Sequence, residues 1–64
     1  MRYYLMYKDM FGNWVTWQDT EYRVYTFSSA DFAREYSAHY WPDINFRVRK
    51  DKGARFLFGR VFVG

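Results

Sequence analysis

The chain has no cysteine, one histidine, one proline and four glycines in 64 residues. Without cysteine there can be no disulfide, no thiolate metal site and no cysteine nucleophile. A single imidazole, His39, leaves little for metal ligation or general-base work. The longest apolar stretches, such as Tyr3 to Tyr7, run only a few residues, against the ~20 that cross a bilayer. At the Met1 end one charge, Arg2, is followed by tyrosines, where a secretory signal would carry an aliphatic run and a small-residue cleavage site. No cofactor, metal or membrane association is expected, and a cytoplasmic location is.

What is abundant is rings. Seven Tyr, seven Phe and three Trp make up 27% of the chain, and half of all residues are hydrophobic, which argues against disorder. The length predicts one domain, residues 1–64. A chain this short buries only roughly 60% of its unfolded surface. Chains below ~70–80 residues usually rely on a disulfide, a metal, a partner or an unusually dense core. Only the last two remain here. Seventeen aromatics exceed what so small an interior holds, so some are expected at the surface. Exposed Trp, Tyr and Arg are enriched at binding hot spots.

The net charge is +3, with ten Lys and Arg against seven Asp and Glu. Seven of the ten cations are arginine, which stacks on rings and forks onto carboxylate or phosphate better than lysine does. The charge is skewed toward the end of the chain. Arg47, Arg49, Lys50, Lys52, Arg55 and Arg60 stand there against Asp51 alone.

Residues 2–8 (RYYLMYK), 14–18 (WVTWQ) and 22–27 (YRVYTF) are aromatic and β-branched and predict three strands. Phe11-Gly12-Asn13 and Asp19-Thr20-Glu21 supply the turns between them. Residues 14–27 could equally be one long bulged strand. Ser28 as N-cap, with Asp31 reaching back as in a capping box and Phe27 stapled to Phe32, predicts a helix start. Phe32, Ala33, Tyr36 and Tyr40 form its apolar stripe. Pro42 ends it near Tyr40 by disfavouring helical geometry at Trp41.

Residues 44–50 alternate, with Ile44, Phe46 and Val48 on a buried face and Arg47 and Arg49 on a wet one. A last strand over 54–63 completes the order β-β-β-α-β-β. The expected fold class is α+β, a small antiparallel sheet with one helix packed on one face.

Register in the last hairpin turns on loop length. A three-residue loop, Asp51-Lys52-Gly53, sends Phe56 and Phe58 into the core and leaves Arg47, Arg49, Arg55, Leu57 and Val61 outside. A two-residue loop, Lys52-Gly53, puts Phe56, Phe58 and Phe62 outside with Arg47, Arg49 and Arg60, as a platform that could stack bases. Turn chemistry favours the first, because Asp-Lys-Gly suits a type I turn with a glycine bulge.

Asp31, Glu35 and His39 lie four residues apart along one helix face. Their simplest role is a solvated polar stripe, with His39 near the helix C-terminus, where a cation is favoured. No Ser-His-Asp or Cys-His set is present, and the chain is expected not to be an enzyme. Trp14 and Trp17, three apart, must point to opposite faces of a strand, and Trp41 stands beside Pro42. Trp14, Trp17, Trp41, Arg47, Arg49, Arg55 and Arg60 are therefore the candidate contact residues.

The run from the first hairpin through YTF to SSADFAREY resembles the amino-terminal DNA-binding domains of tyrosine-type integrases. It does so through a strand leading into a capped helix, a common unit, and it departs from them by a second hairpin after Pro42. The expected function is a small protein-binding module. Its style is that of inhibitors and adaptors encoded by phages and other mobile elements for host takeover or anti-defence, with a protein partner such as a host or defence enzyme. Nucleic-acid binding by a basic aromatic sheet face is the alternative, and an edge strand could pair two copies as a homodimer.

Overall fold

A computed structural model of the chain describes residues 2–52 and 60–63. Five strands and one helix follow in the order β1 (Arg2–Lys8), β2 (Trp14–Thr16), β3 (Tyr25–Phe27), α1 (Ala30–Tyr40), β4 (Arg47–Asp51) and β5 (Val61–Val63). This is an α+β domain with the expected element order. All strand pairs are antiparallel except β5, which runs parallel to β3.

β1 organises the sheet. Its residues Arg2 to Met6 pair with β4. On the other edge Met6 to Lys8 pair with β2, and Tyr3 and Tyr4 pair with β3. β2 and β3 thus lie end to end along one edge of β1. Between them the chain makes an excursion closed by a bridge from Gln18 to Val24. The two descriptions of residues 14–27 merge: one edge is interrupted by one turn.

The connection from β1 to β2 and the excursion before β3 use the same turn. Asp9 and Asp19 each donate their backbone N–H to the carbonyl four residues on, Asn13 and Arg23. Each accepts, on its own carbonyl, the N–H three residues on, from Gly12 and Tyr22. Oδ1 of Asp9 accepts from the N–H groups of Phe11 and Asn13, and Oδ1 of Asp19 from those of Glu21 and Arg23, all at 2.8–2.9 Å. The short Asp side chain acts here as a local template for the backbone. The fourth residue is left-handed in both, Gly12 at φ 83° and Tyr22 at φ 62°.

The helix starts one residue later than the capping-box reading predicts. Ser29 is the N-cap, and its hydroxyl accepts from the Phe32 N–H at 3.0 Å. Asp31 then falls in the first turn and pairs with Arg34 at 2.7 Å instead of reaching back. Phe27 and Phe32 still meet edge to face at 5.9 Å. The helix ends where Pro42 requires, with the Trp41 N–H donating to the Ser37 carbonyl at 2.8 Å.

Leu5, Phe27 and Ala33 form the fully buried centre, where sheet and helix meet. Trp17, Tyr25, Phe32, Tyr36, Phe46, Val48 and Val63 pack around it. Each such apolar side chain contributes about 1.5–3 kcal/mol when fully withdrawn from water. Ile44 was expected among them, but it is 36% exposed. The turn after Pro42, closed by Ile44 N–H to Trp41 C=O at 3.2 Å, delays β4 until Arg47.

The register of the expected last hairpin falls on residues 53–59, outside the described residues, but along their described lengths β4 pairs with β1 and β5 with β3, not with each other. The faces of its final strand are set by β3. Val61 lies opposite Tyr25 and Phe62 opposite Thr26, so Phe62 emerges on the outer face and Val61 does not, the reverse of the three-residue-loop reading for Val61.

Candidate interaction face

Alternation gives the sheet two faces. Tyr3, Leu5 and Tyr7 of β1 face the helix, and Arg2, Tyr4, Met6 and Lys8 face away. Opposite partners share a face, which adds Trp14 and Thr16, Thr26, Arg47, Arg49 and Asp51, and Phe62 to the outer side. No element among the described residues packs over Trp14, which is 39% exposed, or over Phe62, which is 53% exposed.

Cations lie over both rings. The Arg47 guanidinium sits 4.6 Å from the Trp14 ring centroid and the Lys8 ammonium 5.6 Å from it. Arg2 sits 4.9 Å from the Phe62 centroid. The pairing follows from register: Lys8 is directly opposite Trp14, and Arg47 is opposite Met6, two residues along β1 on the same face. Such contacts contribute about 0.5–1 kcal/mol at exposed sites. They also fix long side chains that would otherwise lose entropy on binding. The only carboxylate on this face among the described residues is that of Asp51, buried and bonded to Arg60 Nη1 at 2.7 Å. The exposed part of the face is therefore cationic, carrying Arg2, Lys8, Arg47 and Arg49.

Of the seven expected contact residues, the structure brings Trp14, Arg47 and Arg49 together here. Trp17 and Trp41 are on the helix side, with ring centroids 4.6 Å apart. Phe46 stands 5.2 Å from Trp17 and 5.9 Å from Trp41, and Tyr7 5.3 Å from Trp17. These two tryptophans belong to a half-buried ring cluster on the helix side. Trp17 Nε1 is buried in it without a hydrogen-bond partner among the described residues. Arg60 is engaged with Asp51, and Arg55 lies outside the described residues. Sequence reasoning passed over Arg2 and Lys8, and put Phe62 on this face only under the two-residue loop. Period-two alternation carried the signal for the first two, but which face of β1 was covered could not be read while both carried large apolar groups.

The polar helix stripe of Asp31, Glu35 and His39 is exposed throughout. Among the described residues no group of three His, Cys, Asp or Glu side chains is placed to hold a metal ion. No helix among them is long and apolar enough to cross a membrane. Compared with known proteins, the chain matches no protein-family model, no curated protein and no solved structure.

Proposed function

We propose that the protein is a non-enzymatic binding module, an inhibitor or adaptor working in the cytoplasm, that engages an acidic surface of a partner protein through the outer face of its sheet. The observation that carries this reading is the Lys8–Trp14–Arg47 cluster, an exposed ring with two cations close over it on the sheet face away from the helix. Trp and Arg at the centre of a patch are the residues that dominate protein interfaces, and cations at its rim speed encounter with an acidic partner.

A single-stranded nucleic acid would need open ring faces on which bases can stack. Both exposed rings on this face already carry a cation, which favours the protein partner. The test is affinity capture from natively expressing cells, with wild type beside Trp14→Ala and Arg47→Glu. The reading requires a defined acidic protein that is retained by wild type, lost by at least tenfold in both variants, and lost without change in the circular dichroism or melting temperature of either. Tight, steeply salt-dependent binding of bare DNA or RNA, weakened by the same variants, would replace it with the nucleic-acid reading.

A further inference from the structure

A second surface lies across the molecule, on the helix. Phe32, Tyr36 and Tyr40 form one row of α1, and Glu35 and His39 the next. Between the rows runs a groove of about 330 Å³ lined by these five residues. The Tyr36 and Tyr40 rings are 4.6 Å apart and inclined at 45°. Phe32 stands 6.1 Å from Tyr36, and His39 meets Tyr40 edge-on at 4.7 Å. The stripe's other carboxylate, Asp31, is engaged by Arg34 at 2.7 Å, so Glu35 is the anionic group of the groove. Burial, and then the phenols of Tyr25 and Tyr40, push the Tyr36 hydroxyl above its ordinary pKa. It stays neutral and adds no second negative charge.

Aromatic rings beside a single carboxylate suit a weakly hydrated organic cation. A bare ammonium or a metal ion would lose hydration that this apolar lining does not replace. We infer that the groove between Phe32, Tyr36 and Tyr40 and the Glu35 carboxylate binds a methylated ammonium group. This site is independent of the outer sheet face and does not rest on the function proposed for it.

The experiment is a titration of the full chain at pH 8 and constant ionic strength, following the tyrosine ring resonances by NMR. The probes are choline, its uncharged isostere 3,3-dimethylbutanol, and short peptides bearing trimethyllysine or unmodified lysine. Saturable shifts of the Tyr36 and Tyr40 rings are expected with choline or the trimethyllysine peptide, and the tighter of the two tells whether the cation is a free small molecule or a modified side chain. The uncharged isostere should bind at least tenfold more weakly, and so should unmodified lysine. Glu35→Gln should weaken binding about fivefold, and Tyr40→Leu, at a side chain 57% exposed, should abolish it while the helical circular dichroism is kept. Equal binding of the isostere or of unmodified lysine, no loss in Glu35→Gln, or shifts that never saturate would each overturn the assignment.

Discussion

At the scale of single residues, the twin turns hold the clearest strain. Gly12 and Tyr22 occupy the same left-handed position, but only Gly12 has the residue type that adopts it freely. For a residue with a Cβ that geometry costs roughly 1–2 kcal/mol, while a glycine loses about 0.5–1 kcal/mol more chain entropy on folding. The difference predicts that Tyr22→Gly stabilises the protein by about 0.5–1 kcal/mol. Gly12→Ala should destabilise it by about 1 kcal/mol, although a Cβ there meets nothing within 4 Å. Urea midpoints of the two variants check both signs. If Tyr22→Gly gains nothing, the phenol, 81% exposed, contributes to the fold in a way its contacts do not show.

Asp19 adds a pH dependence to the same turn. The Arg23 backbone N–H, followed by that of Glu21 and by the Arg23 guanidinium, holds its carboxyl below the ordinary value against the opposing effect of burial. A depressed folded-state pKa contributes stability that is complete above the unfolded value, about 3.9, and is lost as pH falls through the folded one. Asp19→Asn should therefore flatten the fall in stability below about pH 4 relative to wild type, as read from urea midpoints between pH 2.5 and 7. Glycine and asparagine marked the first turn in the sequence, and Asp19 the second. The shared template did not stand out, because Tyr22 occupies a position where a glycine would have announced it.

At the scale of elements, the helix shows how local signals can agree on an element and miss its first residue. Ser28 and Ser29 are both competent caps, and the Phe27–Phe32 contact forms with either. What decides is the chain leaving β3, which must keep Phe27 paired with Tyr3; extended geometry then persists through Ser29, at φ −144° and ψ 157°. Ser29→Ala is expected to cost about 1 kcal/mol, or about 4–8 °C in melting temperature for a domain of this size, and Ser28→Ala less than about 0.5 kcal/mol. Equal losses would mean that the cap is shared.

Strand existence was legible from aromatic and β-branched composition, as was the opposition of Trp14 and Trp17, whose three-residue spacing forces it. Partnership between strands was not. Nothing local says that β3 returns to β1 beyond the end of β2, or that Val61–Val63 lies parallel to β3, since both depend on contacts distant in sequence. For that reason the sequence alone groups Trp17 and Trp41 with Trp14, while the structure packs them, half-buried, with Phe46 and Tyr7 on the helix side.

At the scale of the whole molecule, part of the excess of rings lies on two opposite faces with a small core between them, and part in the turns. Phe27 is the only ring wholly buried among the described residues, whereas Phe11, Trp14, Tyr22, Tyr40 and Phe62 are exposed. The surplus expected from composition is therefore real, and the proposed sheet-face and helix-face sites draw on different parts of it. Without disulfides, the outermost strands must be tied by other means, and the Asp51–Arg60 pair is one such tie. It joins the end of β4 to the residue before β5, two strands on the opposite margins of a sheet whose middle is β1 and β3. Its halves are unequally buried, the Asp51 side chain 2% exposed and that of Arg60 27%. Removing the arginine takes one charge partner from a buried carboxylate, whereas removing the carboxylate leaves a guanidinium with access to water. Arg60→Met should accordingly cost more than Asp51→Leu. The double variant should recover most of the larger loss, giving a coupling energy in a double-mutant cycle of urea unfolding. The same double variant separates the two roles open to Arg60. If Arg60 holds the fold and Trp14 and Arg47 make the contact, Asp51→Leu/Arg60→Met will capture the acidic partner as wild type does, and a tenfold loss in that folded variant would return Arg60 to the binding surface.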